Sequence, residues 1–549
     1  MQQQDLFELY QLPPLDRVPP DSPTYATLKS AKVLRYAEQM PVSFSMITAP
    51  EYYLNTLRHD ILLQLPQDYG LAEHYFTGET ASELNAFVET LTLPAKVILH
   101  NTTLTIDTSV LLKTGLWLQG NATVLVADAI DNAVIGENCT HFALQGVSIH
   151  CARVNAVLLL NCRQGVLRNL TIVAGDDYGI ILRQQTSYVA IEHSRFVGTQ
   201  RSGIMVHDGA HHNFISHCQV TGVQHSSNWA AGIVITALEA TSLYTTRDAF
   251  ETNYFYPNNL EVHLPSVPHQ NIVENCSVHN NRSSGIYVDG GNGNVVFNNM
   301  LELNDKEGLC LDFYSAVNIV LNNTLNNNGH RCFQSDHALE IDCVKEFGRL
   351  SDGSSCAKLP NISLDNTGLN IIMKNTISYA GGDGIKMVRA AFKNLVLLNV
   401  ITDNNQGENF RFNFSGILLG SAGCEIENDS SGLDRLPSIE NMLFANMIIG
   451  KHTFGIVYDG GSIYNDTIDN FVMKQNLASV LENASPNSMV GNNFMPAEAR
   501  IDSLPEELVT TEPPPELVIP ESEALSSNVT ASHASGVKEI AQAIFRRFS

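Results

Sequence analysis

The 549-residue sequence carries little charge for its size. Asp, Glu, Lys and Arg together make up 16% of it, below the usual quarter of a globular chain. That charge is also one-sided, 57 acidic against 32 basic residues for a formal net charge of -25, which excludes a general nucleic-acid binder. No run of about 18 apolar residues occurs, so no helix has the length to span a bilayer. The opening MQQQDLFELYQLPPLDRVPP has neither a basic n-region nor an apolar h-region. The expectation is a cytoplasmic protein, or an extracellular one if export is leaderless or a leader has been trimmed. The ten cysteines form no C-x-x-C pair, which removes the common zinc and redox signatures. Only Cys343 and Cys356, in one insertion, suggest a loop-closing disulfide.

What is present is Asn, often in runs such as Asn326-Asn327-Asn328, and a repeat. GIILR from Gly179 recurs as GIMVH from Gly203, GIVIT from Gly232, GIYVD from Gly285 and GLCLD from Gly308. It continues as ALEID from Ala338, GIKMV from Gly384, GILLG from Gly416 and GIVYD from Gly455, with weaker copies from Ala133 and Ala156. A second apolar-alternating element follows each copy, for example NVVFNNML from Asn294 and NIVLNNTL from Asn318. Period-two alternation and the absence of a helical pattern argue strands, and short strands repeated without helices bury an apolar face only by stacking coil on coil. The fold expected is all-β, a right-handed parallel β-helix. The sixth residue of the second element (Asn169, His193, Cys218, Cys276, Asn299, Asn323, Asn375, Asn399, Asn446, Asn470) predicts an internal ladder of amides that cap backbone groups at each turn.

Residues of about 95 to 490 resemble the right-handed β-helix repeats of the pectin-lyase-like superfamily, on the GI-x-V-x and N-x-[IV]-x-x-N-x-[IV] elements. The resemblance implies the fold and a set of carbohydrate chemistries, among them pectate and alginate lyases, mannuronan epimerases and polygalacturonase-type hydrolases, together with non-enzymatic members. Gly175-Asp176-Asp177 and Gly384-Ile385-Lys386 are similar to short strings of the hydrolases, without their other motifs, and the aromatic-Gly-x-Asp-Pro-His string of many epimerases is absent.

The expected organisation is an N-terminal α/β cap over residues 1–93, the solenoid over 94–495, an acidic Pro-rich linker over 496–536 and a short amphipathic helix over 537–549. In the cap, Leu84, Phe87 and Leu91 share one helical face. The gap from the GI element to the next Asn element is normally nine or ten residues, but 39 after Gly232, 32 after Ala338 and 25 after Gly416. Long loops there, and extra residues ahead of the same strands, predict two walls around a groove on the outer face of the first strand.

The floor of that groove is read from the alternation. Second and fourth residues point in, third and fifth point out. The fifth-position column reads Arg183, His207, Thr236, Asp289, Asp312, Asp342, Val388, and the third-position column includes Tyr287, Glu340 and Lys386. Carboxylates stacked about 4.8 Å apart repel unless protonated, paired or bridged by a cation. Asp289, Asp312 and Asp342 are therefore candidate catalytic acids or bases, or ligands of a Ca²⁺ ion, against the alternative of a solvated acidic stripe. Lys386 is the first candidate for a base in proton removal from a uronate, with His207 next and Arg389 and Arg183 also in reach, while Tyr287, Glu340, Arg183 and Arg389 are expected to bind substrate. The substrate expected is a polysaccharide. A lyase or C5-epimerase acting on a uronate polymer ranks first, a glycoside hydrolase using paired aspartates second, and a non-catalytic glycan-binding protein third. His207-Asp208 followed by His211 and His212 also invites a metal or proton-relay reading, with ordinary solvated loop histidines as the duller alternative.

Overall fold

The computed structural model describes residues 42–47, 49–67, 70–127, 130–151, 155–173, 178–225, 230–237, 267–312, 315–330, 359–365, 367–388, 391–404, 415–420, 438–458, 462, 465–473, 478–482, 489–491 and 500–501. The predicted linker of 496–536 is described only at Arg500–Ile501, which pair with Val480–Leu481 as one more strand of the solenoid; the terminal helix of 537–549 and the Cys343/Cys356 pair lie outside the described residues. Every strand pairing in the solenoid is parallel and steps one coil along the sequence. The coil Ile286–Asp289, Val295–Phe297, Met300–Glu302 is followed by Leu309–Asp312, Ile319–Leu321, Thr324–Asn326, each strand in register with its predecessor. The first strands form a 14-stranded sheet, the floor sheet below, and the second and third strands share a 26-stranded sheet. The coil ladder begins at Ala72–Phe76, which pairs with Ala95–Leu99.

Inward residues of all three faces make one continuous core, from Val97 and Leu118 through Ile233, Ile235, Ile286 and Val288 to Ile456 and Val472. The glycine that opens each floor strand answers to crowding between coils. A Cβ on Gly285 would sit 2.6 Å from the Gly308 carbonyl oxygen and 2.9 Å from Asn304 Nδ2, closer than any side chain tolerates.

Among the described residues Asn builds three buried ladders rather than one. Asn375 shows the unit: its Nδ2 donates to Asn399 Oδ1 (3.0 Å) and the Val320 carbonyl (3.0 Å), and its Oδ1 accepts from Asn323 Nδ2 (3.0 Å) and the Asn323 amide (2.8 Å). Four hydrogen bonds satisfy a fully buried amide and two backbone groups at a corner where the sheet ladder breaks. Parallel columns run Asn213, Asn271, Asn294, Asn318, Asn370, Asn394, Asn441, Asn465 and Asn281, Asn304, Asn328, Asn361, Asn404. At the early end the predicted column is corrected by one residue. Asn169 and His193 are exposed with φ of 54° and 49°, and the inner places belong to Leu170 and Ser194, whose Oγ accepts the Leu170 amide at 3.1 Å. A left-handed corner residue precedes each ladder residue, and Asn suits that conformation too, so the two polar positions look alike in sequence.

The region before the solenoid splits into two jobs. Helix Ala81–Glu89, with a capping box from Thr80 and Glu83, packs Leu84 and Val88 against the core end. The Asn85 side chain donates to the Ser109 carbonyl (2.8 Å) and accepts from the Leu111 amide (3.0 Å), so it pairs with the edge of the first floor strand and closes it. Helix Pro50–Gln64 instead lies along the flank. Tyr53, Leu54, Leu57 and Ile61 pack on Phe214, Ile272, Val295, Ile319, Leu369 and Phe392, residues of successive coils. Its start is tied to Lys374 by Glu51 (2.6 Å), its middle to Glu274 by Arg58 and its end to Gln164 by Gln64 (3.2 Å), so it is a strut running opposite to solenoid growth.

Replacing Asn375 by Leu keeps volume but leaves the Asn323 donors and the Val320 carbonyl unanswered. A loss of about 2–4 kcal/mol is expected. Denaturant titration checks this, with Thr324→Ala, exposed on the neighbouring coil, as the control that changes stability by less than about 0.5 kcal/mol.

Candidate active site

The outer face of the floor sheet follows from its register. Val234, Tyr287 and Cys310 occupy one column, where they form an apolar cluster with Tyr178, Ile181, Met205 and Ala231 that is separate from the solenoid core. The fifth-position column carries Arg183, His207, Thr236, Asp289 and Asp312; Thr236 is in register with Asp289, and Asp289 with Asp312. The next floor strand is Ile362–Asp365, in register with Leu309–Asp312 on one side and with Ile385–Val388 on the other. Asp365 thus takes the place predicted for Asp342, and Ser363 that predicted for Glu340. Asp342, Glu340 and Arg389 lie outside the described residues. The signal was available: counting the ordinary nine residues back from Asn370 lands on Asn361, which stands where other copies have Gly. The stretch 331–358 accordingly precedes its floor strand, while 238–266 and 421–437 follow theirs.

The acidic column is not a solvated stripe. Asp289 is 0% exposed, Asp312 4% and Asp365 7%. Asp312 Oδ2 accepts the Tyr287 hydroxyl at 2.8 Å, across one coil. Both oxygens of Asp289 are buried without a hydrogen-bond partner. Burial first, then the negative charge of Asp312, pushes the Asp289 carboxyl well above the usual carboxylate range. The Cys310 thiol is also pushed up, by burial and then by Glu307, Asp312, Asp365 and Asp289, so it is a protonated wall residue and not a nucleophile.

Of the remaining predicted residues, His207 is buried beside Thr236, Arg183 is half-buried in the column, and Lys386 is half-buried in register with Ser363, three coils beyond Tyr287. Sequence reading missed Asp383, just ahead of the Lys386 strand. It accepts from the Ser415 amide (2.6 Å) and hydroxyl (2.9 Å), and burial raises it to about 6 although Lys386 and these bonds oppose the shift.

The family description right handed beta helix region matches residues 98–247 and 239–343. The chain is a right-handed parallel β-helix repeat protein. Comparison with curated proteins by sequence finds no match. Among solved structures this β-helix is similar to the A-module of the mannuronan C-5 epimerase AlgE6 from Azotobacter vinelandii, at 13% identity and TM-score 0.47, covering 76% of this chain and 100% of that one. It is similar also to the periplasmic alginate epimerase AlgG (11%, TM-score 0.43, 77% and 84%) and to the catalytic domain of a GH87 alpha-1,3-glucanase in complex with tetrasaccharides (12%, TM-score 0.49, 79% and 70%).

A carboxyl raised in the folded state binds a proton that the unfolded chain releases near pH 4, so its contribution to stability is full below that pH and is lost as pH rises towards the folded value. Wild-type stability should therefore fall relative to Asp289→Asn from about pH 4 upward, by at most about 1.4 kcal/mol per pH unit. Parallel denaturation of both proteins from pH 4 to 8 reads the slope, whatever fixed offset the buried amide adds. Equal slopes would show that Asp289 is not raised.

Proposed function

We propose that this β-helix is a carbohydrate-active enzyme, a glycoside hydrolase in which Asp289 is the proton donor and Asp312 the conjugate carboxylate. The observation that carries the reading is the pairing of a buried acid without a hydrogen-bond partner, its carboxyl raised by burial, with a second carboxylate one coil away. Burying such a group costs free energy unless something uses it, and two carboxyls in environments that separate their protonation states are what glycosidic cleavage needs. Adjacent strands lie about 4.8 Å apart, near the separation of about 5–5.5 Å at which the second carboxylate acts as nucleophile. Asp289 would protonate the leaving oxygen as the C–O bond breaks, and Asp312 would add to the anomeric carbon. Water then displaces Asp312 and returns its proton to Asp289.

The lyase or epimerase reading on a uronate polymer stays as the second, supported by the Tyr287 to Asp312 hydrogen bond. A phenol so bonded can pass a proton at C5, and protonated Asp289 can neutralise the uronate through a hydrogen bond. Lys386, three strand spacings or about 14 Å past the Tyr287 coil, is too distant to serve as the base at the same sugar. A Ca²⁺ ion suits the oxygen donors of Asp289 and Asp312, and would supply the same neutralisation when bound. Among the described residues, however, no third Asp, Glu, His or Cys converges with them.

The test is turnover of neutral and uronate-containing polysaccharides by the full chain, read as new reducing ends and as ultraviolet absorbance of an unsaturated sugar. Reducing ends without that absorbance are expected, unaffected by EDTA, with Asp289→Asn and Asp312→Asn each slower by at least about 100-fold. Unsaturated product would give the lyase instead. Undiminished turnover in Asp289→Asn would remove the site.

A further inference from the structure

On the opposite side of the turn that closes each floor strand, three histidines meet that sequence places 58 residues apart. His211 and His212 follow the strand Ser202–His207, and His269 enters from the next coil through a backbone bridge to His211. One nitrogen from each lies within 4.8 Å of the others, and all three side chains are half-buried. We propose that His211, His212 and His269 form a binding site for one divalent transition-metal ion of the zinc class.

Four observations support it. The His269 Nδ1 sits 3.0 Å from the Val267 carbonyl, which only accepts; the proton is therefore on Nδ1, and Nε2 keeps a free lone pair. That is the arrangement by which outer-shell carbonyls orient metal-bound imidazoles. His211 Nδ1 and His212 Nδ1 lie 2.8 Å apart, which requires one shared proton between two lone pairs, a place a cation can take. The cluster is also held from behind. Tyr188 stacks on His212 (5.1 Å) and meets His211 edge-on (6.2 Å), the Arg163 guanidinium lies over Tyr188 (5.6 Å), and the His212 amide bonds the His269 carbonyl (3.2 Å). Finally, burial and then repulsion from the neighbouring imidazoles hold His211 down to about 3 and His212 to about 4, and burial lowers His269, so metal need not compete with protons at neutral pH. The charges acting on the cluster oppose one another: Arg163 on His211, and Asp60 of the flank helix on His212.

The donor set selects the ion. Three neutral imidazoles without a carboxylate or thiolate suit Zn²⁺, Co²⁺, Ni²⁺ or Cu²⁺ and not Ca²⁺ or Mg²⁺. The His211 and His269 rings now stack at 4.7 Å and 11°, so closing on an ion with metal–nitrogen distances of about 2.0–2.1 Å requires those rings to rotate about their side-chain bonds. The backbone bridge already fixes their Cα atoms one strand spacing apart. This site is independent of the Asp289 pair.

Titration of the full chain with Zn²⁺ against a chromophoric chelator, and with Co²⁺ by visible absorbance, tests the assignment. One equivalent should bind, His269→Ala and His212→Gln should each weaken it by at least about tenfold, and His217→Ala should leave it unchanged. His217 and His193 form a second stacked pair, at 4.8 Å, without a third converging ligand among the described residues, and serve as the control. X-ray absorption of wild-type protein with one equivalent of zinc should show three imidazole nitrogens, a readout that survives any failure of the variants to fold. No saturable binding, unchanged affinity in folded His269→Ala, or sulfur scattering would each overturn the site.

Discussion

Every column in this protein follows from one constraint: each coil lies a single strand spacing above the last, so whatever occupies a position meets its own counterpart about 4.8 Å away. The sequence has to choose residues that tolerate themselves. Aliphatic side chains do so in the core, and Asn does so at three corners because an amide carries both donor and acceptor and can bond its copy above and below. Cys218 and Cys276 hold the same places earlier in one column, where the Cys276 amide still donates to Asn299 Oδ1 at 2.9 Å. Aspartate does not tolerate itself. Its appearance on successive floor strands, buried, is the point at which the repeat departs from what stability alone would select.

That contrast separates scaffold from site. The Asn ladders return each buried polar atom to a partner, whereas Asp289 has no hydrogen-bond partner, and burial and its neighbour's charge raise its carboxyl. The apolar cluster of Met205, Val234, Tyr287 and Cys310 beside it lowers the local polarity and enforces the shift. Tyr287 links the two regimes, its ring in the apolar column and its hydroxyl on Asp312. The net charge of -25, which in sequence speaks only against nucleic acid, has a buried component that an added polyanion would meet unfavourably. A neutral glycan escapes that penalty, which is one physical reason hydrolysis ranks above elimination for this geometry.

Much of the fold was legible because the repeat is self-aligning. Gly-Ile-x-Val-x set which residues face the core, and the cluster of outward residues matches that alternation. Failures came where two positions share a chemistry. Asn169 and His193 were placed inside because the left-handed corner and the ladder both favour Asn. The sequence points to Asp342, and Asp365 goes unread, because Asn361 replaces the expected glycine and Ala338 imitates the pattern. The flank helix falls within the region expected to be a cap, and a stripe of Tyr53, Leu54, Leu57 and Ile61 does not say whether it covers the end of a solenoid or its side. The histidine cluster is half legible, as His211-His212; His269 stands 57 residues beyond His212 in sequence and joins it only through the bridge to His211.

The central claim is that Asp289 is a neutral acid in the folded protein at neutral pH. Infrared difference spectroscopy of wild type against Asp289→Asn measures it directly, through the carbonyl band of a protonated carboxylic acid. The account predicts that band in wild type at pH 7 and its loss in the variant. A wild-type spectrum showing only ionised carboxylates would contradict it.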